Sequence, residues 1–94
     1  MKNSHYAELE RLFAELLTDP ELTLSEAEKS EVDHFIYYGE YGIALETAVA
    51  IFNEENLPVS TRIHSKLREL AELMRMDALA LFSRLESRNK ASQQ

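Results

Sequence analysis

Residues 35–60 read FIYYGEYGIALETAVAIFNEENLPVS, and this stretch decides the fold. Tyr41, Ala44, Leu45, Ala48, Val49 and Phe52 recur at intervals of three and four, which puts them on one face of a helix. Ahead of them, Val32, Phe35 and Ile36 form the apolar stripe of a preceding helix, and Gly39 is placed to end it in the left-handed conformation. The link at Gly39-Glu40 is so short that the two helices must meet at a tight corner. Glu54-Glu55-Asn56 lets the second of them run out, and Pro58 stops it.

The same period extends outward in both directions. Leu9, Leu12, Phe13, Leu16 and Leu17 make a first helix, capped at Ser4 or Asn3 and ended by Thr18-Asp19-Pro20. Ser25 begins the next helix, with Glu28 at the capping-box spacing. Downstream, Ser60 or Thr61 can cap a helix whose stripe is Ile63, Leu67, Leu70, Ala71 and Met74. A break at Arg75-Met76-Asp77 is favoured, with Asp77 capping a fifth helix whose stripe is Leu79, Phe82 and Leu85. One bent helix over 61–87 is the other reading, because Ile63, Leu67, Leu70, Met74, Ala78, Leu81 and Leu85 also line up. Residues 88–94 are polar and are expected to fray. No stretch alternates with period two. The expected fold is all-α, a compact bundle of four or five short helices forming a single domain over residues 1–94.

Composition narrows the function. The chain has 94 residues, 45% of them hydrophobic, which is enough for a core with a radius of gyration of about 12 Å. With no Cys there is no disulfide framework, thiolate zinc site or cysteine nucleophile. No apolar run approaches the length of a membrane span, and the first residues carry no signal-peptide core, so the expected compartment is the cytoplasm. The net charge of −7 is unevenly spread: residues 1–61 hold 13 acidic and 3 basic residues, whereas residues 62–94 hold 4 and 7. Such a balance disfavours nucleic acid and anionic membrane as partners and suits a basic protein.

Chemistry is sparse. His5, His34 and His64 fall on different helices without a metal-ligand spacing and read as surface residues. Neither glycine, Gly39 or Gly42, is followed by a phosphate-loop lysine. The carboxylates sit on polar helix faces rather than as a pair in a cleft. No catalytic, cofactor or metal residues are assigned, and the chain is expected not to be an enzyme. Met74 and Met76 read as core filler.

The aromatic cluster says more. Tyr37 points away from the Val32, Phe35 and Ile36 stripe, on the face shared by Asp33 and Glu26. An exposed Tyr among carboxylates is the composition of an interface hot spot. Tyr38 lies at the face boundary, where half burial is expected, and Tyr41 falls in the core. Ile43 sits on the outer face of its helix with Glu46, Thr47, Ala50 and Glu54.

Residues 35–46 resemble the central motif of the MafI-type immunity proteins of bacteria, a hydrophobic-x-x-Gly-Glu-x-Gly-x-Ala-Leu-Glu segment joining two helices. Glu55 to Ser60 is similar to that family's acidic-x-hydrophobic-Pro-hydrophobic-Ser step. The resemblance covers residues 8 to about 77. It departs at Arg75-Met76-Asp77, where the family often has a Gly-containing turn. It implies an immunity protein of the contact-dependent inhibition kind, which binds and neutralises the C-terminal domain of a cognate polymorphic toxin. The toxin implied is a nuclease, with a ribonuclease favoured, and the protein is expected to be a monomer before binding. An acidic surface can occupy a nuclease's positive cleft. The candidate contact residues are Glu26, Asp33, Tyr37, Tyr38, Glu40, Glu46, Glu54 and Glu55. The competing expectation is an acidic helical adaptor or homodimerising regulatory module, using Ile43 or the apolar groups of residues 78–85.

Overall fold

The computed structural model describes residues 4–92, with side-chain surroundings for residues 5–87. Five helices follow one another: α1 (Ser4–Leu17), α2 (Glu26–Tyr37), α3 (Tyr41–Glu54), α4 (Thr61–Leu73) and α5 (Ala78–Ser92). The fold is an all-α bundle, with a radius of gyration of 13.0 Å. The break at 75–77 is real, so residues 61–87 are two helices. Helix α5 extends to Ser92, into the polar stretch that begins at residue 88. Residues 93 and 94, and the Asn3 cap, lie outside the described residues, as do the surroundings of Ser4.

The core is built on α3, which buries Ala44, Leu45, Ala48, Val49, Ile51 and Phe52. Each large apolar side chain among these contributes about 1.5–3 kcal/mol. Helices α2, α4 and α5 lie directly against α3, and α1 closes the far side against α4. From those helices come Leu9, Leu12, Phe13, Leu16, Val32, Ile63, Leu67, Leu70, Phe82 and Leu85. Burial of Ile51 widens the α3 stripe beyond the expected positions, because α3 is enclosed by three neighbours. Leu24, in the α1–α2 connection, also plugs into the core. Leu79 does not belong to it: the side chain is 75% exposed, and α5 turns Ala78 and Leu81 inward instead. Tyr41 is half-buried rather than enclosed. Its ring stacks on Phe13 at 6.3 Å and its hydroxyl donates to Glu10 at 2.7 Å, tying α3 to α1. That hydrogen bond, reinforced by burial, pushes the Tyr41 phenol up to about 12.

Three corners share one device. The Glu40 N–H reaches the Phe35 carbonyl (2.8 Å) and the Gly39 N–H that of Ile36 (3.0 Å). This paired pattern closes α2 as a Schellman turn, with Gly39 at φ 74°. At the end of α3, Leu57 reaches Phe52 and Asn56 reaches Asn53, with Asn56 at φ 53°. After α4, Met76 reaches Ala71 and Arg75 reaches Glu72, with Arg75 at φ 59°. Helix starts are capped as expected at Ser25, Ser60 and Asp77. Glu40, by contrast, starts α3 without a side-chain cap.

Asp19 is more than the residue before a stop. It is buried, its carboxylate accepts from the Glu21 N–H and from Arg62 Nε at 2.9 Å each, and Lys66 lies 4.0 Å away. The backbone hydrogen bond first, and Arg62 second, hold its carboxyl below the usual range. The end of α1 is thereby pinned to the start of α4. Thr23 adds a hydrogen bond to the Pro58 carbonyl at 2.9 Å, joining two connections.

Arginine at φ 59° bears a Cβ crowding cost of about 1 kcal/mol that glycine avoids. Arg75→Gly is therefore expected to raise unfolding free energy by about 1 kcal/mol in urea denaturation. Gly39→Ala, where an added Cβ meets no atom within 4 Å, is expected to lower it by about the same amount through backbone strain alone.

Candidate protein-binding site

Among the described residues α2 buries the least, with Val32 its one fully buried side chain. Its start is held by a complete capping box: the Glu28 N–H donates to Ser25 Oγ (3.1 Å) and the Ser25 N–H to Glu28 Oε1 (2.8 Å). With both ends capped, the helix leaves two exposed rows toward solvent. Glu26, Ser30, Asp33 and Tyr37 form the first, at spacings of three and four. Ala27, Glu31, His34 and Tyr38 form the second. The first row carries Glu26 and Asp33 ahead of Tyr37, and the second carries Glu31 ahead of His34 and Tyr38. Glu31 and His34 join the exposed candidates, and the helical period places both in the second row.

The aromatic end is a connected surface. His34 and Tyr38 meet edge-on at 5.0 Å, as do Tyr37 and Tyr38. Tyr37 is 80% exposed and Tyr38 64%, so the half burial expected for Tyr38 is not found. The helix ends at Tyr37, and Tyr38 as its C-cap residue swings off the buried face. No hydrogen bond within the described residues engages either hydroxyl.

The eight candidate residues are all exposed, but they do not form one patch. Glu26 and Asp33 border an open depression of about 550 Å³, shared with Leu17, Thr18, Lys29 and Ser30. Lys29 pairs with Glu26 at 2.9 Å, whereas Asp33 has no partner among the described residues. Glu46 faces elsewhere, toward Met76, Asp77, Ala80 and Leu81 at the start of α5. Glu40 stands at the α2–α3 corner. Glu54 and Glu55 close α3, next to the opposite end of α2.

Glu55 is not an independent surface charge. Its carboxyl hydrogen-bonds the capping residue Glu28, and that contact, with burial and the nearby Glu54, pushes the Glu55 carboxyl up. Glu28 moves the other way, held below the usual range by the Ser25 N–H and then by Glu55. Both acids at the end of α3 also face the negative end of that helix, with no basic residue in its last turn.

His64 departs from the surface placement expected of it. It packs on Phe82 at 5.3 Å, between α4 and α5, with Glu86 3.7 Å from its Nε2. Desolvation, and then Arg68, push its imidazole down. The α4–α5 contact is completed by Arg68 donating to Glu86 at 2.6 Å.

Among the described residues no group of three or more His, Cys, Asp or Glu is placed to hold a metal ion. Nor, among the described residues, is any helix long and apolar enough to cross a membrane. No family model, curated protein or solved structure matches the chain.

Because the folded state holds the Glu55 proton more tightly than the unfolded chain, stability falls as pH rises through the window above the ordinary value of 4.5. Glu55→Gln keeps a donor to Glu28 without the charge. It is expected to raise the melting temperature at about pH 7, with the gain shrinking to nothing by about pH 4. Thermal melts across that range check the sign.

Proposed function

We propose that this chain is an immunity-type protein that binds and neutralises the C-terminal domain of a cognate polymorphic toxin. The toxin domain is a basic nuclease, with a ribonuclease favoured, and the acidic, tyrosine-bearing surface covers its substrate cleft. One observation supports the reading: α2 buries little, yet both of its solvent rows end in exposed tyrosines with unpartnered hydroxyls, with Glu26, Glu31 and Asp33 exposed ahead of them. Rigid aromatic area beside charge is what a hot spot offers a partner. The excess of 13 acidic over 3 basic residues across positions 1–61 supports a positive partner and opposes binding to phosphate chains. The resemblance of residues 35–60 to MafI-type immunity proteins supplies the class of partner. Cytoplasmic residence and a monomeric state before binding belong to the same proposal.

A second reading, a homodimerising adaptor, draws on the 75% exposure of Leu79 at the start of α5. Sedimentation of the chain alone separates the two: a monomer fits the neutraliser, and a concentration-dependent dimer fits the adaptor.

The direct test induces the toxin domain of a neighbouring large secreted protein with and without this chain. Growth rescue together with a stable complex supports neutralisation, and RNA and DNA integrity in unprotected cells names the activity blocked. Reversing three charges, Asp33→Lys with Glu54→Lys and Glu55→Lys, is expected to slow association about tenfold at low salt and far less at high salt. Unchanged association kinetics in a folded triple variant would contradict the acidic-surface reading.

A further inference from the structure

We infer that His64, Arg68 and Glu86 form an acid-sensitive latch, which seats α5 on α4 while the imidazole is neutral and loosens that contact when the imidazole is protonated. The inference does not depend on the binding reading above. His64 and Arg68 are four residues apart on α4 and share the face that meets α5. The rings of His64 and Phe82 lie 5.3 Å apart, and the Arg68 guanidinium stands 5.9 Å from the same Phe82 ring. Phe82 and Leu85 are the two fully buried side chains that α5 brings to the core among the described residues. One of the two is therefore held directly by the cluster.

The cluster accommodates one positive charge. Glu86 Oε2 accepts from Arg68 at 2.6 Å, and the same oxygen lies 3.7 Å from His64 Nε2, beyond hydrogen-bonding distance. His64 Nε2 is buried and has no hydrogen-bond partner. A neutral imidazole can rest there against the apolar ring of Phe82. An imidazolium would set a second cation beside a carboxylate already engaged, with an N–H that reaches no acceptor. No further group offsets it. Glu86 is the one acid within ion-pair distance of His64 among the described residues. From α1, Glu15 turns to Lys66 and Asp19 to Arg62, and no charged side chain of α3 stands within ion-pair distance of the imidazole. Burial first, and Arg68 second, push the imidazole down against the opposing pull of Glu86. The folded state thus holds this proton less tightly than the unfolded chain. The stability it confers is complete above the ordinary value of 6.5 and is lost as pH falls through the lower, folded-state value.

NMR titration of the isotope-labelled chain from about pH 8 to about pH 5 tests the latch. The His64 ring is expected to titrate with a midpoint below 6.5. Signals of Phe82 and Leu85 should move with that midpoint, while those of Val32 on α2 and Leu24 before it stay fixed. Arg68→Gln frees Glu86 for the imidazole and is expected to raise the His64 midpoint by about one pH unit, tenfold in proton affinity. Glu86→Gln is expected to lower it. A midpoint at or above 6.5 in the unaltered chain would overturn the latch, as would Phe82 and Leu85 signals that ignore the titration. Movement of Val32 and Leu24 with the same midpoint would show general unfolding in place of a local release, and an unmoved midpoint in a folded Arg68→Gln variant would remove the competition for Glu86 on which the inference stands.

Discussion

Everything in the bundle follows from the need to bury α3. Six of its fourteen residues are buried, and they span too much of the helix circumference for one neighbour to cover. Helices α2, α4 and α5 are each recruited to a side of it, and α1 seals α4 from behind. Short corners make that enclosure possible. The paired hydrogen bonds after α2, α3 and α4 reverse the chain within a few residues while satisfying the last carbonyls of each helix. One of those corners tolerates a left-handed arginine, which shows that the enclosure outweighs a local backbone cost.

The enclosure also leaves a helix with an almost free outer surface. Helix α2 contributes Val32 and the half-buried Phe35 and Ile36 to the core, and its ends are stabilised by caps rather than by further burial. Its two solvent rows are consequently open to composition chosen for something other than folding. They hold carboxylates along their length and tyrosines at their end. Glu54 and Glu55 tell a related story: they oppose both each other and the dipole of the helix they close, a cost that packing does not require. Acidic groups kept where the fold would be better without them are consistent with selection at a surface, for contact with a positive partner.

Much of this was legible from residue order. Apolar spacing marked all five helices, and Ser25, Ser60 and Asp77 marked three of their starts. The Arg75 corner was ambiguous because the left-handed position there is filled by arginine, and no glycine announces it. Ile51, Leu24 and the outward turn of Leu79 depend on how many neighbours surround a helix, which periodicity within one helix does not encode. Asp19 looked like an ordinary residue before proline, since its ion pair with Arg62 spans 43 positions of sequence. For the same reason the candidate carboxylates could be assigned to solvent faces but not grouped. Joining Glu28 to Glu55, and setting Glu46 against the start of α5, requires the helix pairings.

Hydrogen–deuterium exchange of the chain, alone and mixed with the toxin domain proposed as its partner, bears most directly on the claim that α2 is the working face. Added protection over residues 15–20 and 26–41, with α5 unchanged, is the predicted result. A stable complex whose protection falls on residues 78–87 and spares α2 would contradict it.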